Sequence, residues 1–361
     1  MKIFHCQSCD KVVYFENTQC VSCGATLGFL PDRFLISSLE PGGDNQWRPL
    51  ANRSRTQTYR MCGNYSREQV CNWMLPADSQ ETFCQACRLN QTIPDLTVKG
   101  NKLLWQRLET GKRRLVYSLL RLGLPVISKQ QDPAAGLAFA FMADEEPLFP
   151  ENTQMMTGHS EGLITINIAE ADDAWRERMR QEMTEPYRTL LGHFRHESGH
   201  YFWYRLVQRS NWLMAFRQEF GDERLDYASA MQQNYQQGPS ADWQSRFVSA
   251  YAASHPWEDW AETWAHYLHI IDVLETAWTF RLRVSPHNDL QDPMTSEPDF
   301  DPYRASSFDQ IIDQWLPLTY ALNSLNRSMG QPDLYPFVLT PAVISKIDFV
   351  HRTVRQVASN D

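Results

Sequence analysis

The chain lacks any long apolar run. Nothing in it approaches the ~20 consecutive apolar residues that a membrane-crossing helix needs, and Met1-Lys2-Ile3-Phe4-His5 runs straight into Cys6 without the apolar stretch of a secretory leader. A soluble cytoplasmic protein is the expectation. Internal repeats and low-complexity tracts are also missing, which sets aside solenoid and coiled architectures. Positive charge is short, with 34 Lys and Arg against 43 Asp and Glu and a net charge of -9. Duplex binding draws its affinity from Lys and Arg on phosphates, so this balance argues against a nucleic-acid partner. Cysteine is absent after residue 87.

The 8 cysteines therefore crowd into the first quarter of 361 residues. Cys6-x-x-Cys9 and Cys20-x-x-Cys23 form two knuckles, a spacing suited to one tetrahedral four-thiolate zinc site. Cys62, Cys71 and Cys84-x-x-Cys87 supply four more thiolates for a second site, with pairing across the two groups left open. In a chain without a leader, C-x-x-C pairs read as metal ligands before disulfides. Spacing alone does not separate zinc from iron. Arg53, Arg55, Arg60, Arg67 and Arg88 make this region locally basic, either as a nucleic-acid patch or, as favoured here, as a protein-contact face.

The full chain has 42% hydrophobic and 21% charged residues, as globular proteins do, and its length suits about two domains. A helical pattern over Leu103–Leu122 opens the second. There, His196-Glu197-Ser198-Gly199-His200 is an H-E-x-x-H. On a helix, positions i and i+4 share one face, so both histidines reach one metal ion and Glu197 stands beside it as a general base. Thr184-Glu185-Pro186 reads as the helix start, and Leu190, Leu191, Phe194 and Phe202 as its packing face. Gly162–Ile168 reads as a strand, and Leu163, Thr165 and Asn167 on it are candidates to hold an extended peptide. His193 shares the histidine face but reads as a support behind the ligands or as packing, because three consecutive turns of one helix converge poorly on one ion. His159 ranks low as a substrate contact.

A catalytic zinc takes a third protein ligand. Pro256 opens a helix in which Glu258, Glu262, His266 and His269 form one stripe among Trp257, Trp260, Trp264 and Tyr267. Carboxylates among tryptophans are expensive to bury unless they are paired or bind metal; the plainer alternative is a solvated acidic face.

An H-E-x-x-H followed by E-x-aromatic-A-E resembles the zincin peptidases whose third ligand is glutamate. The resemblance implies that Glu258 binds zinc, that Glu262 supports the site from the next turn or is the alternative ligand, and that Tyr251, seven residues before Glu258, bonds the developing oxyanion. The stretch between His200 and Glu258, including Phe220–Tyr227, is then an insertion. With the cysteine region and Cys71-Asn72-Trp73-Met74-Leu75-Pro76, nearly the whole chain is similar to bacterial zinc-ribbon domain-containing zinc metallopeptidases. That implies an α+β fold: a small cysteine-rich zinc-ribbon region at 1–95, then a mainly helical zincin-like metallopeptidase domain at 96–361. It also implies one catalytic zinc, one or two structural zincs, and a peptide or protein substrate cut with Glu197 as base. A silent zincin that only binds peptides, and a zinc-ribbon regulatory or nucleic-acid adaptor, are the competing readings.

Overall fold

The computed structural model describes residues 2–51, 57–143, 158–183, 185–287 and 294–358. Arg53, Arg55 and Thr184 lie outside the described residues. The chain forms two compact units, Met1–Tyr117 with Ile127–Thr157 and Leu163–Asp173, and Ser118–Val126 with Gly158–Gly162 and Ala174–Asp361.

The first unit is mostly β. A two-stranded ribbon, β1 (Phe4–His5) and β2 (Val12–Val13), carries the first cysteine knuckle. The strands β3 (Leu27–Leu30), β4 (Leu35–Gly43), β5 (Gln46–Pro49), β6 (Tyr59–Met61) and β7 (Met74–Pro76) follow as an antiparallel meander, with the register slipping at Pro41/Gly43. One short helix, α1 (Gly63–Ser66), lies between β6 and β7. Phe29 from β3 packs on Trp73 with ring centroids 4.8 Å apart, and Phe15 and Tyr117 close the same cluster edge-on. The strands β8 (Asn90–Thr92), β9 (Ala138–Met142) and Leu163–Asn167 run parallel, with β9 in the middle. The long helix α2 (Asn101–Arg121) buries Trp105, Leu108, Leu115 and Val116. It also buries Lys112, whose Nζ lies 2.8 Å from Glu109. A buried cation is tolerable because that carboxylate is beside it.

The second unit is helical: α3 (Asp173–Glu182), α4 (Leu190–Leu206), α5 (Trp212–Glu219), α6 (Tyr227–Gln237), α7 (Pro256–Phe280), α8 (Phe308–Ser328) and α9 (Pro341–Ala358). The expected start of α4 at Thr184-Glu185-Pro186 is wrong. Proline biases the residue before it away from helical backbone, and Glu185–Arg188 stay outside the helix. The cap is Thr189, extended at φ -132°, whose hydroxyl accepts the Gly192 N–H at 3.0 Å. Pro256 does open α7 at its first turn, behind His255, whose Nδ1 accepts the Trp257 N–H.

Helices α4 and α7 lie against each other at Gly199. A Cβ there would come within 2.9 Å of Ala261 Cα, so only glycine permits this approach. Around the contact, Phe202 stacks on Trp264 at 4.9 Å, and Trp260 meets Phe216, Phe220 and Phe349. No helix among the described residues is long and apolar enough to cross a membrane.

Candidate metal centre

His196 and His200, one turn apart on α4, turn their Nε2 atoms toward one carboxylate oxygen, Oε2 of Glu258, at 3.0 and 3.5 Å. Donor atoms about 2.0–2.1 Å from a zinc ion at tetrahedral angles lie about 3.3 Å from one another, so these separations suit three ligands of one ion. Glu258 is 1% exposed, which excludes the solvated acidic face. Its Oε2 and the Nδ1 of His200 have no hydrogen-bond partner. Two imidazoles and a buried carboxylate converging in this way form a donor set that fits a divalent cation.

These groups are also strongly coupled electrostatically. Burial opposes charge on both, yet Glu258 and Glu262 hold His196 well above its ordinary pKa, and His200 and His196 hold Glu258 well below its own. Glu262 lies one turn beyond Glu258. Its Oε1 is 2.7 Å from His196 Nδ1, and its Oε2 accepts from Ser249 Oγ at 2.7 Å. With burial opposing, the hydrogen bond from His196 brings Glu262 down to about 2. In the neutral imidazole that a metal ligand must be, that bond would hold the proton on Nδ1 and leave the Nε2 lone pair for an ion.

Glu197 is 8% exposed, and its Oε2 has no hydrogen-bond partner. The next two residues of the motif are tied to α7: Trp264 donates its indole N–H to Ser198 Oγ at 3.1 Å, and Trp260 donates to the Gly199 carbonyl at 2.9 Å. Tyr251 is half-buried, with its ring 5.8 Å from that of His196. Burial first, then the Glu258 carboxylate, raise its phenol far above the ordinary range, so it stays a proton donor.

The other candidates are not in the ligand group. His193 is outside the ligand group. His266 meets Tyr335 Oη at 2.6 Å and His269 meets Arg195 at 3.2 Å, so the lower half of the stripe leads away from the ligands. His159, on the short strand Gly158–Ser160, stacks 6.2 Å from His200 and 5.9 Å from Tyr204. Leu163, Thr165 and Asn167 do lie on a strand, in the first unit. Leu163 and Thr165 are half-buried, whereas Asn167 is buried and its side chain accepts the Ala169 N–H.

Several residues of the centre escaped the sequence reading. Trp257 lies 3.9 Å, ring to ring, from His200. Tyr227 donates its hydroxyl to Glu258 Oε1 at 2.7 Å, from a segment read only as an insertion. Ser249 stands two residues before Tyr251, and that proximity was its one available signal.

In the first unit the cysteines divide without interleaving into Cys6/Cys9/Cys20/Cys23 and Cys62/Cys71/Cys84/Cys87. The Sγ atoms of Cys6 and Cys23 are 3.6 Å apart, those of Cys9 and Cys20 3.6 Å, and those of Cys71 and Cys84 3.8 Å. Four sulfurs about 2.3 Å from a tetrahedral ion sit about 3.8 Å apart, far beyond a disulfide of about 2.05 Å. Backbone N–H groups of Trp73 and Cys84 point at Cys71 and Cys62 sulfurs at 3.3 Å each, as thiolates favour. Of the basic residues there, Arg60 donates to the Ser79 carbonyl and Arg88 pairs with Glu81 at 3.6 Å.

Residues 101–353 match the family described as "putative zinc-binding metallo-peptidase", and residues 3–98 match a zinc-ribbon domain. The chain belongs to that zinc-binding metallopeptidase family. It is 43% identical over 359 residues to uncharacterized proteins of Mycobacterium bovis and Mycobacterium tuberculosis, covering 99% of this chain and 96% of theirs. No solved structure matches it.

Proposed function

We propose that the second unit is a zinc-dependent peptidase of the glutamate-ligand kind, hydrolysing peptide bonds with Glu197 as general base. The observation that carries this reading is the buried His196/His200/Glu258 group with an unpartnered Glu197 carboxylate on the same turn of α4. When bound, zinc supplies a Lewis acid that polarises the scissile carbonyl and lowers the pKa of water toward about 7.

The remaining steps belong to the protein. Glu197 takes the proton from the attacking water and passes it to the leaving amine. Glu262 keeps His196 in the tautomer whose Nε2 is open. Tyr251, held protonated, donates to the carbonyl oxygen as negative charge develops on it. Trp257, against His200, shields that ligand from water.

The test is hydrolysis of a peptide library that stops on chelation and returns with zinc. Glu197→Gln should keep its zinc and lose turnover by at least the roughly 100-fold that a general base supplies. Full activity in that variant would remove Glu197 from the role. Reversible zinc binding without hydrolysis in wild type would leave a peptide-binding zincin instead.

A further inference from the structure

The two oxygens of Glu258 have different partners. Oε2 faces the Nε2 atoms of His196 and His200 at 3.0 and 3.5 Å, while Oε1 accepts the Tyr227 hydroxyl at 2.7 Å. Tyr227 is the first residue of α6, and Asp226 caps that helix by accepting the Ser229 N–H. Its place beside Glu258 is set by His255. Nδ1 of that imidazole accepts the Trp257 N–H and so caps α7, the helix that carries Glu258. With Nδ1 accepting, Nε2 bears the proton and donates to the Leu225 carbonyl at 3.1 Å. One side chain thus ties the start of α7 to the backbone two residues before Tyr227. The Tyr227 ring then packs edge-on against His255 at 5.3 Å and Trp257 at 5.9 Å.

We propose that Tyr227, clamped through His255, is a positioning residue that reserves Oε1 of Glu258 and presents Oε2 alone to the metal. The inference rests on the zinc reading of the His196/His200/Glu258 group. A carboxylate ligates through one oxygen or two. The phenolic hydrogen bond draws charge toward Oε1 and fixes the plane of the carboxylate, so ligation through Oε2 alone leaves a coordination position for water or substrate. Tyr227 does not touch the reacting atoms; it acts through Glu258.

Tyr227→Phe keeps the ring packing and deletes only the hydroxyl. The expected result is a 10–100-fold loss of zinc affinity at this centre in a chelator competition, the range typical when a partner of a metal ligand is removed. The visible spectrum of the cobalt-substituted protein, taken as its difference from His196→Ala, should also weaken as the coordination number rises. A merely structural role would lower thermal stability and leave that spectrum unmoved. Wild-type affinity with an unchanged cobalt spectrum overturns this inference and leaves the zinc reading standing. A wild-type protein with no His196-dependent metal overturns both.

Discussion

The indole N–H of Trp260 donates to the carbonyl of Gly199, 2.9 Å away, inside the motif that carries both ligand histidines. The helix that bears Glu258 is therefore tied to the helix that bears His196 and His200 at Gly199, where a side chain has no room. Adding a methyl group at Gly199 drives it to 2.9 Å from Ala261 Cα and 3.1 Å from Trp264.

Gly199→Ala should consequently destabilise the second unit. Overpacking of about 1–3 kcal/mol outweighs the roughly 1 kcal/mol that a helix gains from alanine over glycine. Displacing α7 also carries Glu258 away from the histidines, so zinc at this centre should weaken alongside the thermal midpoint. A variant with wild-type melting and zinc affinity would show that the close approach of the helices is incidental.

Glu262→Ala should cost about 10–100-fold in zinc affinity at the same centre, because it frees His196 Nδ1 and leaves Ser249 without its acceptor. Glu262→Gln should fall between, since an amide oxygen still accepts from Nδ1 without the charge. The check is chelator competition on both variants. Equal affinity in all three proteins would remove the orienting role.

Three histidines, His266 and His351 buried and His269 half-buried, set an acid limit on stability. Burial brings His266 and His351 down to about 4 and His269 to about 3, aided for His266 and His269 by Arg195 and opposed for His266 by Glu262. Each folded value is below the unfolded value of about 6.5, so the unfolded chain binds protons first as pH falls. Their contribution is fully present above about pH 6.5 and is lost down through the folded values, at up to about 1.4 kcal/mol per pH unit for each. His351→Gln should flatten the fall in urea stability between pH 6.5 and 5 by about that slope. A parallel profile in wild type and variant would assign the acid sensitivity to other groups.

Local spacing made much of the centre legible. The four-residue steps from His196 to His200 and from Glu258 to Glu262 follow from helix geometry, and the C-x-x-C pairs follow from the reach of two thiolates to one ion. What escaped depends on tertiary contact. Tyr227 meets Glu258 across 31 residues, and no periodicity announces that hydrogen bond. Gly199 has an ordinary helical neighbourhood in sequence; its need for a bare Cα arises only from Ala261. The start of α4 is ambiguous in sequence for a local reason: threonine stands at both 184 and 189, and Pro186 is a helix-start signal near the first, whereas the cap is Thr189.

Among the described residues three separate groups have the donors to hold a metal ion, two of four cysteines and one of His196, His200 and Glu258. Zinc content per chain, measured in wild type and in His196→Ala, shows whether all of them are filled. The expected stoichiometry equals the three groups in wild type, with one zinc lost in the variant and the cysteine sites still filled. Equal zinc in both proteins, with no further zinc taken up by wild type on titration, would contradict it.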